Sequence, residues 1–162
     1  GAESGTLSVM AGGDRKVYEA CNKIFKSYSK SHKYMGPSGS GQLTKMVNQI
    51  CIAGLIQALA EGMHFSRRAG LNTTDVMDVI TKGAAQSWQM ENRWETMLND
   101  EYDFGFAVDL MRKDLDIVLK QAKKMDTELE VTNLVNNFYK EIQKSGGGRW
   151  DTSSLLKRIQ QK

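Results

Sequence analysis

The stretch Gly36-Pro37-Ser38-Gly39-Ser40-Gly41-Gln42-Leu43-Thr44-Lys45-Met46-Val47-Asn48-Gln49 decides how this chain is read. Its first half holds three glycines and the chain's one proline, and its second half has helical spacing. A glycine-rich loop that opens a helix turns unpaired N–H groups and the positive end of the helix dipole toward whatever precedes it. Two phosphate-binding loops are excluded by residue order. Gln42 stands where a P-loop places lysine after its last glycine, and the dinucleotide fingerprint has a different glycine order and a different preceding strand. Spacing alone favours a tight turn with serine caps.

Downstream of this loop every periodic segment is helical. The first helix is expected from Ser38 or Ser40 to Ala69, with Gly70 as its C′ residue. Its centre is apolar nearly all round, the pattern of a helix buried by several neighbours. Gly54, Ala58 and Gly62 make a smooth stripe that lets another backbone approach closely. Such stripes also occur in membrane helices, but Gln57, Glu61 and His64 argue against that here. Further helices are expected over Thr74–Lys82 (capped by Thr73 or Thr74), Ser87–Leu98, Ala107–Met125 and Glu128–Lys144. The inward faces of the last two are read as Leu110, Met111, Asp114 or Leu115, Val118, Leu119 and Ala122, and as Val131, Leu134, Val135, Phe138 and Ile142. Ser145-Gly146-Gly147-Gly148 breaks the chain before a short helix capped by Asp151 or Thr152.

Upstream, Gly5–Ala11 reads as a strand followed by the Gly12-Gly13 turn. Asp14 caps a helix to Tyr28 with Val17, Ala20, Cys21, Ile24 and Phe25 on one face, and Ser29–Tyr34 reads as a second strand. Two strands and one helix are too little to close a sheet. The expected organisation is therefore a strand–helix–strand segment over residues 1–35 and an all-helical domain over 36–162. The fold class is mainly α, a multi-helix bundle around one long buried helix.

Composition agrees with one domain's worth of globular chain: 162 residues, 40% hydrophobic and 25% charged. The 22 basic and 19 acidic residues leave a net charge of +3, with no concentrated basic face to suggest nucleic acid. The longest apolar run, Ile50–Ile56, is far short of a membrane span, and residues 1–10 do not read as a signal peptide. Cys21 and Cys51 lie in apolar helical runs and read as reduced core residues, which points to a cytoplasmic or matrix compartment. Two histidines and two cysteines, all far apart, give no metal site.

Within the opening stretch Lys45 is the chemically active candidate. It lies one turn into a helix that is becoming apolar, with Asn48 at i+3 and Gln49 at i+4. A lysine whose stem enters an apolar cleft can have its pKa lowered and can exchange protons with a substrate. An amide one turn on can hold a substrate hydroxyl or carboxylate.

These features together resemble the β-hydroxyacid dehydrogenases, a family that includes 3-hydroxyisobutyrate dehydrogenase and tartronate semialdehyde reductase and, more distantly, 6-phosphogluconate dehydrogenase. Gly1–Leu7 with Gly12-Gly13 looks like the end of the family's substrate-binding segment. Gly36–Gln49 looks like its catalytic segment, and Phe106 with Leu110-Met111-Arg112-Lys113-Asp114 looks like its late lysine–aspartate segment. The resemblance implies that Lys45 exchanges a proton with the substrate oxygen while hydride passes to or from NAD or NADP. It implies that Asn48 and Gln49 hold the substrate, although many members carry asparagine at the position of Gln49. It also implies that Trp88 borders the substrate cleft, that Lys113 and Phe106 reach the cofactor, and that Asp114 is structural. The implied partners are a small carboxylate substrate and a second copy of the chain, as a homodimer or homotetramer, with neither membrane nor nucleic acid. Residues 1–35 would then be the remnant of a Rossmann-type cofactor domain, and the chain the C-terminal part of a longer enzyme, inactive alone. The rival reading is a non-catalytic helical dimerisation or scaffold module, which loss of the lysine would favour; Lys45 is present.

Overall fold

The computed structural model describes residues 1–161; Lys162, the last residue of the expected helical domain, lies outside them. The chain forms two compact units, Gly1–Asn48 and Gln49–Lys162. The architecture is mainly α, with one two-stranded sheet among the described residues.

In the first unit β1 (Leu7–Gly12) pairs in parallel with β2 (Ser29–Gly36), with Val9 opposite His32 and Gly12 opposite Gly36. The crossover is helical, as is usual between parallel strands, but it is broken at Cys21 into α1 (Arg15–Ala20) and α2 (Asn22–Tyr28). Asp14 caps α1 as expected, its side chain accepting from the N–H groups of Lys16 and Val17. The expected apolar face packs only in part. Cys21 and Phe25 turn inward as expected, but Ala20 is exposed and Val17 and Ile24 are each 61% exposed, and Tyr18 and Tyr28 turn inward in their place. Aromatic area decides this. Tyr18 stacks on Phe25 with centroids 5.4 Å apart, and its hydroxyl meets His32 Nδ1 at 2.8 Å.

The long helix α3 (Ser40–Arg68) begins in the first unit and continues into the second. Within the second unit follow α4 (Thr73–Ile80), α5 (Trp88–Leu98), α6 (Val108–Lys124), α7 (Glu130–Lys144), a 3-10 turn (Thr152–Ser154) and α8 (Leu155–Gln160). Ala53, Ile56, Leu59, Ala60 and Met63 recur at helical spacing along α3 and meet Met77, Met90, Met97, Met111, Leu115, Val135, Tyr139, Ile142, Leu155 and Leu156 in one core. Fully burying a side chain such as Ile56 stabilises by about 1.5–3 kcal/mol. Five of the core residues are methionines, whose unbranched side chains fill irregular gaps between helices.

By length and composition alone α3 could cross a membrane, with a mean hydropathy of 1.3 over its most apolar window even though no single apolar run is long. Core helices pass the same test, and Ala53, Ile56, Ala60 and Met63 are fully buried here. The described residues leave the small-residue stripe uncovered. Ala58 and Gly62 are exposed, and nothing stands within 4 Å of where a Cβ would sit on Gly54 or Gly62.

Several expected faces are corrected. Cys51 is exposed rather than core. Leu110, Val131 and Leu134 are also exposed, and the buried face of α7 is Thr132, Val135, Asn136, Tyr139 and Ile142. The cap of α4 is Asn72, which accepts from Thr74 N–H at 3.0 Å, not Thr73 or Thr74.

Candidate active site

The glycine loop is built for close backbone contact. Gly36 and Gly39 adopt φ of 131° and 94°, which favour glycine. A Cβ on Gly41 would stand 2.3 Å from Met10 O, and one on Gly12 would stand 2.8 Å from Gly41 N. The end of β1 therefore lies directly against the first turn of α3. The glycines serve that approach, in keeping with the tight-turn reading.

Lys45 and Asn48 follow one turn apart on α3, Lys45 half-buried and Asn48 exposed. Both take part in polar contacts. Gln49, at the head of the second unit, is buried to 2% exposure. Its Nε2 donates to Asp114 Oδ2 at 2.9 Å and approaches Met111 Sδ at 3.8 Å. Asp114 Oδ1 in turn lies 3.1 Å from Lys113 Nζ, so the late lysine–aspartate pair of α6 is joined to the amide of α3. Asp114 thus ties α6 to α3 through Gln49. Lys113 itself remains largely exposed.

Trp88 and Phe106 are gathered elsewhere in the second unit. Trp88 opens α5 after its Ser87 cap and is 57% exposed, not core. The guanidinium of Arg93 lies 5.0 Å from the Trp88 ring centroid and 5.1 Å from that of Phe104. Arg93 Nε is 3.2 Å from Asp151 Oδ1, and Asp151 Oδ2 accepts the Phe106 N–H at 2.8 Å. The Phe106 carbonyl accepts from Thr152 N–H at 3.0 Å. One buried carboxylate thus fixes the loop before α6. Arg93 had no sequence signal, because its partner is remote in the chain; Asp151 was legible only as a cap, which it also is.

None of the six candidate residues lines the 550 Å³ cavity bounded by Gln57, Glu61, His64, Arg68, Phe138 and Arg158, or the 160 Å³ one beside Trp150 and Lys157. Among the described residues no group of three His, Cys, Asp or Glu stands together to hold a metal.

The fold is a helical domain with a short strand–helix–strand segment before it, and comparison with known proteins gives the family. Residues 39–159 match the family model described as NAD-binding of NADP-dependent 3-hydroxyisobutyrate dehydrogenase, and residues 1–36 match the NAD binding domain of 6-phosphogluconate dehydrogenase. The chain belongs to the β-hydroxyacid dehydrogenase family. It is 56% identical over 160 residues to an uncharacterised oxidoreductase of Shewanella frigidimarina, covering 99% of this chain and 55% of that protein. It is 32% identical to the 2-hydroxy-3-oxopropionate reductase of Escherichia coli, again covering 99% of this chain and 55% of the relative. The crystal structure of 3-hydroxyisobutyrate dehydrogenase from Salmonella typhimurium superposes with a TM-score of 0.86 at 29% identity, over 96% of this chain and 55% of that one. The chain spans about half the length of the curated relatives it matches.

Proposed function

We propose that the chain is the C-terminal, mostly helical part of an NAD(P)-dependent dehydrogenase that interconverts a small β-hydroxyacid and its semialdehyde or ketone. The observation that carries this is the family match across residues 39–159, with Lys45, Asn48 and Gln49 in sequence on the opening turns of α3. In this reading Lys45 moves the proton. As a neutral amine it takes the substrate hydroxyl proton during oxidation, and as ammonium it returns that proton to the carbonyl oxygen during reduction. Asn48 and Gln49 hold the substrate beside it, and Trp88 borders the cleft.

Lys113 and Phe106 suit a dinucleotide. Lys113 offers an exposed ammonium anchored by Asp114, suited to phosphate oxygens, and Phe106 offers a ring on a loop whose backbone is tied at both its N–H and its carbonyl. When bound, the nicotinamide supplies or accepts the hydride. The expected assembly is a homodimer or homotetramer.

The test uses the full-length parent, followed by absorbance of reduced nicotinamide with a panel of β-hydroxyacids and semialdehydes. Lys45→Met is expected to lower kcat by at least about a hundredfold, the scale of a lost general acid–base group, with a smaller change in KM. An unchanged kcat would remove Lys45 from the chemistry.

A further inference from the structure

The 550 Å³ cavity of the second unit is walled by three helices and by buried polar groups whose hydrogen bonding is incomplete. Gln57, Glu61, His64 and Arg68 recur at helical spacing and share one face of α3; Phe138 of α7 and Arg158 and Ile159 of α8 join them in the wall. Arg158 is only 9% exposed. Its Nε donates to Glu141 Oε2 at 2.8 Å, and its guanidinium carbon lies 3.6 Å from the centre of the Phe138 ring. Its two terminal nitrogens make no hydrogen bond among the described residues. Gln57, 7% exposed, donates through Nε2 to Glu61 Oε1 at 2.6 Å, while its own Oε1 is buried without a partner there. Glu61 is thereby tied to its own helix, and among the described residues neither His64 nor Arg68 has an ion pair or a side-chain hydrogen bond. Polar groups at this depth ordinarily have partners, and the volume falls in the range of about 300–1,000 Å³ of small-molecule sites.

We propose that this cavity binds a small organic monocarboxylate, its carboxylate held by the terminal nitrogens of Arg158, with Arg68 adding charge, and its apolar body beside Phe138 and Ile159. A guanidinium whose Nε is taken by one carboxylate still offers its terminal pair, a fork that matches the two oxygens of another. The charge balance selects a monoanion. Two guanidiniums stand against two carboxylates, Glu61 of the wall and Glu141 behind Arg158, with His64 besides, so the cavity offers donors but little net positive charge. A phosphate dianion would bring a second charge that nothing in the wall offsets. The volume and the two apolar side chains select a ligand with a hydrocarbon body, because a bare carboxylate would fill little of the space. The wall uses none of the residues assigned to the reaction.

The test is titration calorimetry on the full-length parent, with phenylacetate as the probe and inorganic phosphate beside it. Phenylacetate is expected to bind saturably at one site per chain, and phosphate at least about tenfold more weakly. Arg158→Lys keeps a cation opposite Glu141 but removes the fork, and is expected to weaken phenylacetate about tenfold, the scale of one lost charge-assisted hydrogen bond. Arg68→Gln changes an exposed side chain without a partner among the described residues, so it leaves the fold intact and should weaken the probe severalfold. It decides the matter even where Arg158→Lys fails to fold. Lys45→Met should leave the affinity unchanged, because Lys45 is not in the wall. No saturable binding overturns the proposal, and so does binding that Lys45→Met abolishes while Arg68→Gln leaves it intact. Phosphate that binds as tightly as phenylacetate overturns the monocarboxylate assignment. The readout is binding and not turnover, so a parent inactive on every β-hydroxyacid defeats the dehydrogenase reading alone.

Discussion

Asp151 is fully buried, accepts hydrogen bonds from three groups, the N–H of Phe106 and the N–H and hydroxyl of Ser153, and forms an ion pair with Arg93. A buried carboxylate persists only when its lone pairs are satisfied, and removing its charge leaves Arg93 facing an uncompensated site. Asp151→Asn is expected to destabilise the chain by about 3 kcal/mol in denaturant titrations, and a change within experimental error would show that the cluster is not coupled to the fold. Gly105 belongs to the same cluster. It sits at φ 70° with the Asp151 carboxylate where a Cβ would go. Part of this was legible in sequence, since Asp151 was read as a cap and it does accept from Ser153 N–H. The rest was not. An arginine set against the rings of Trp88 and Phe104 carries no local pattern, because ring contacts and ion pairing are set by tertiary approach.

At the level of elements, the helices were legible and their inward faces only partly so. α3, α5, α6 and α7 fall close to the positions that spacing and capping predict. The face of α7 was misread because apolarity alone points to Val131 and Leu134. In the fold Asn136 is buried there instead, its Nδ2 donating to Asp116 Oδ1 at 2.9 Å and its backbone carbonyl accepting from Arg112. Such partners lower the cost of burying a polar residue, and sequence does not show them. The start of α4 has a similar lesson: three residues in a row, Asn72, Thr73 and Thr74, are good caps, and backbone geometry selects the first. Asn72→Ala is expected to lower stability by about 1 kcal/mol, read as a shift in the thermal midpoint, whereas Thr74→Ala should leave the cap bond in place. Equal losses in both variants would remove Asn72 from the capping role.

Over the whole molecule burial is uneven. None of residues 1–48 is fully buried, and the core lies entirely within the second unit. Two phenols in that unit have pKa values raised well above the ordinary tyrosine range. Burial is the main cause for both, reinforced by Asp100 beside Tyr102 and by Asp151 beside Tyr139. The folded chain keeps these protons at pH values where the unfolded chain releases them, so their contribution is complete below about pH 10 and is lost as pH rises further. The denaturation midpoint should fall above about pH 10, and Tyr139→Phe should flatten that fall; a midpoint independent of alkaline pH would contradict it. The six residues from Asp151 to Leu156 are all buried, the longest such run among the described residues, and they are made after every helix they cover. While the ribosome is still producing the chain, α3 to α7 exist with the centre of their bundle open and the loop before α6 without its carboxylate. The second unit can close only once synthesis has passed residue 156, so until then its nascent helices carry exposed apolar faces, the condition in which chaperones engage a chain.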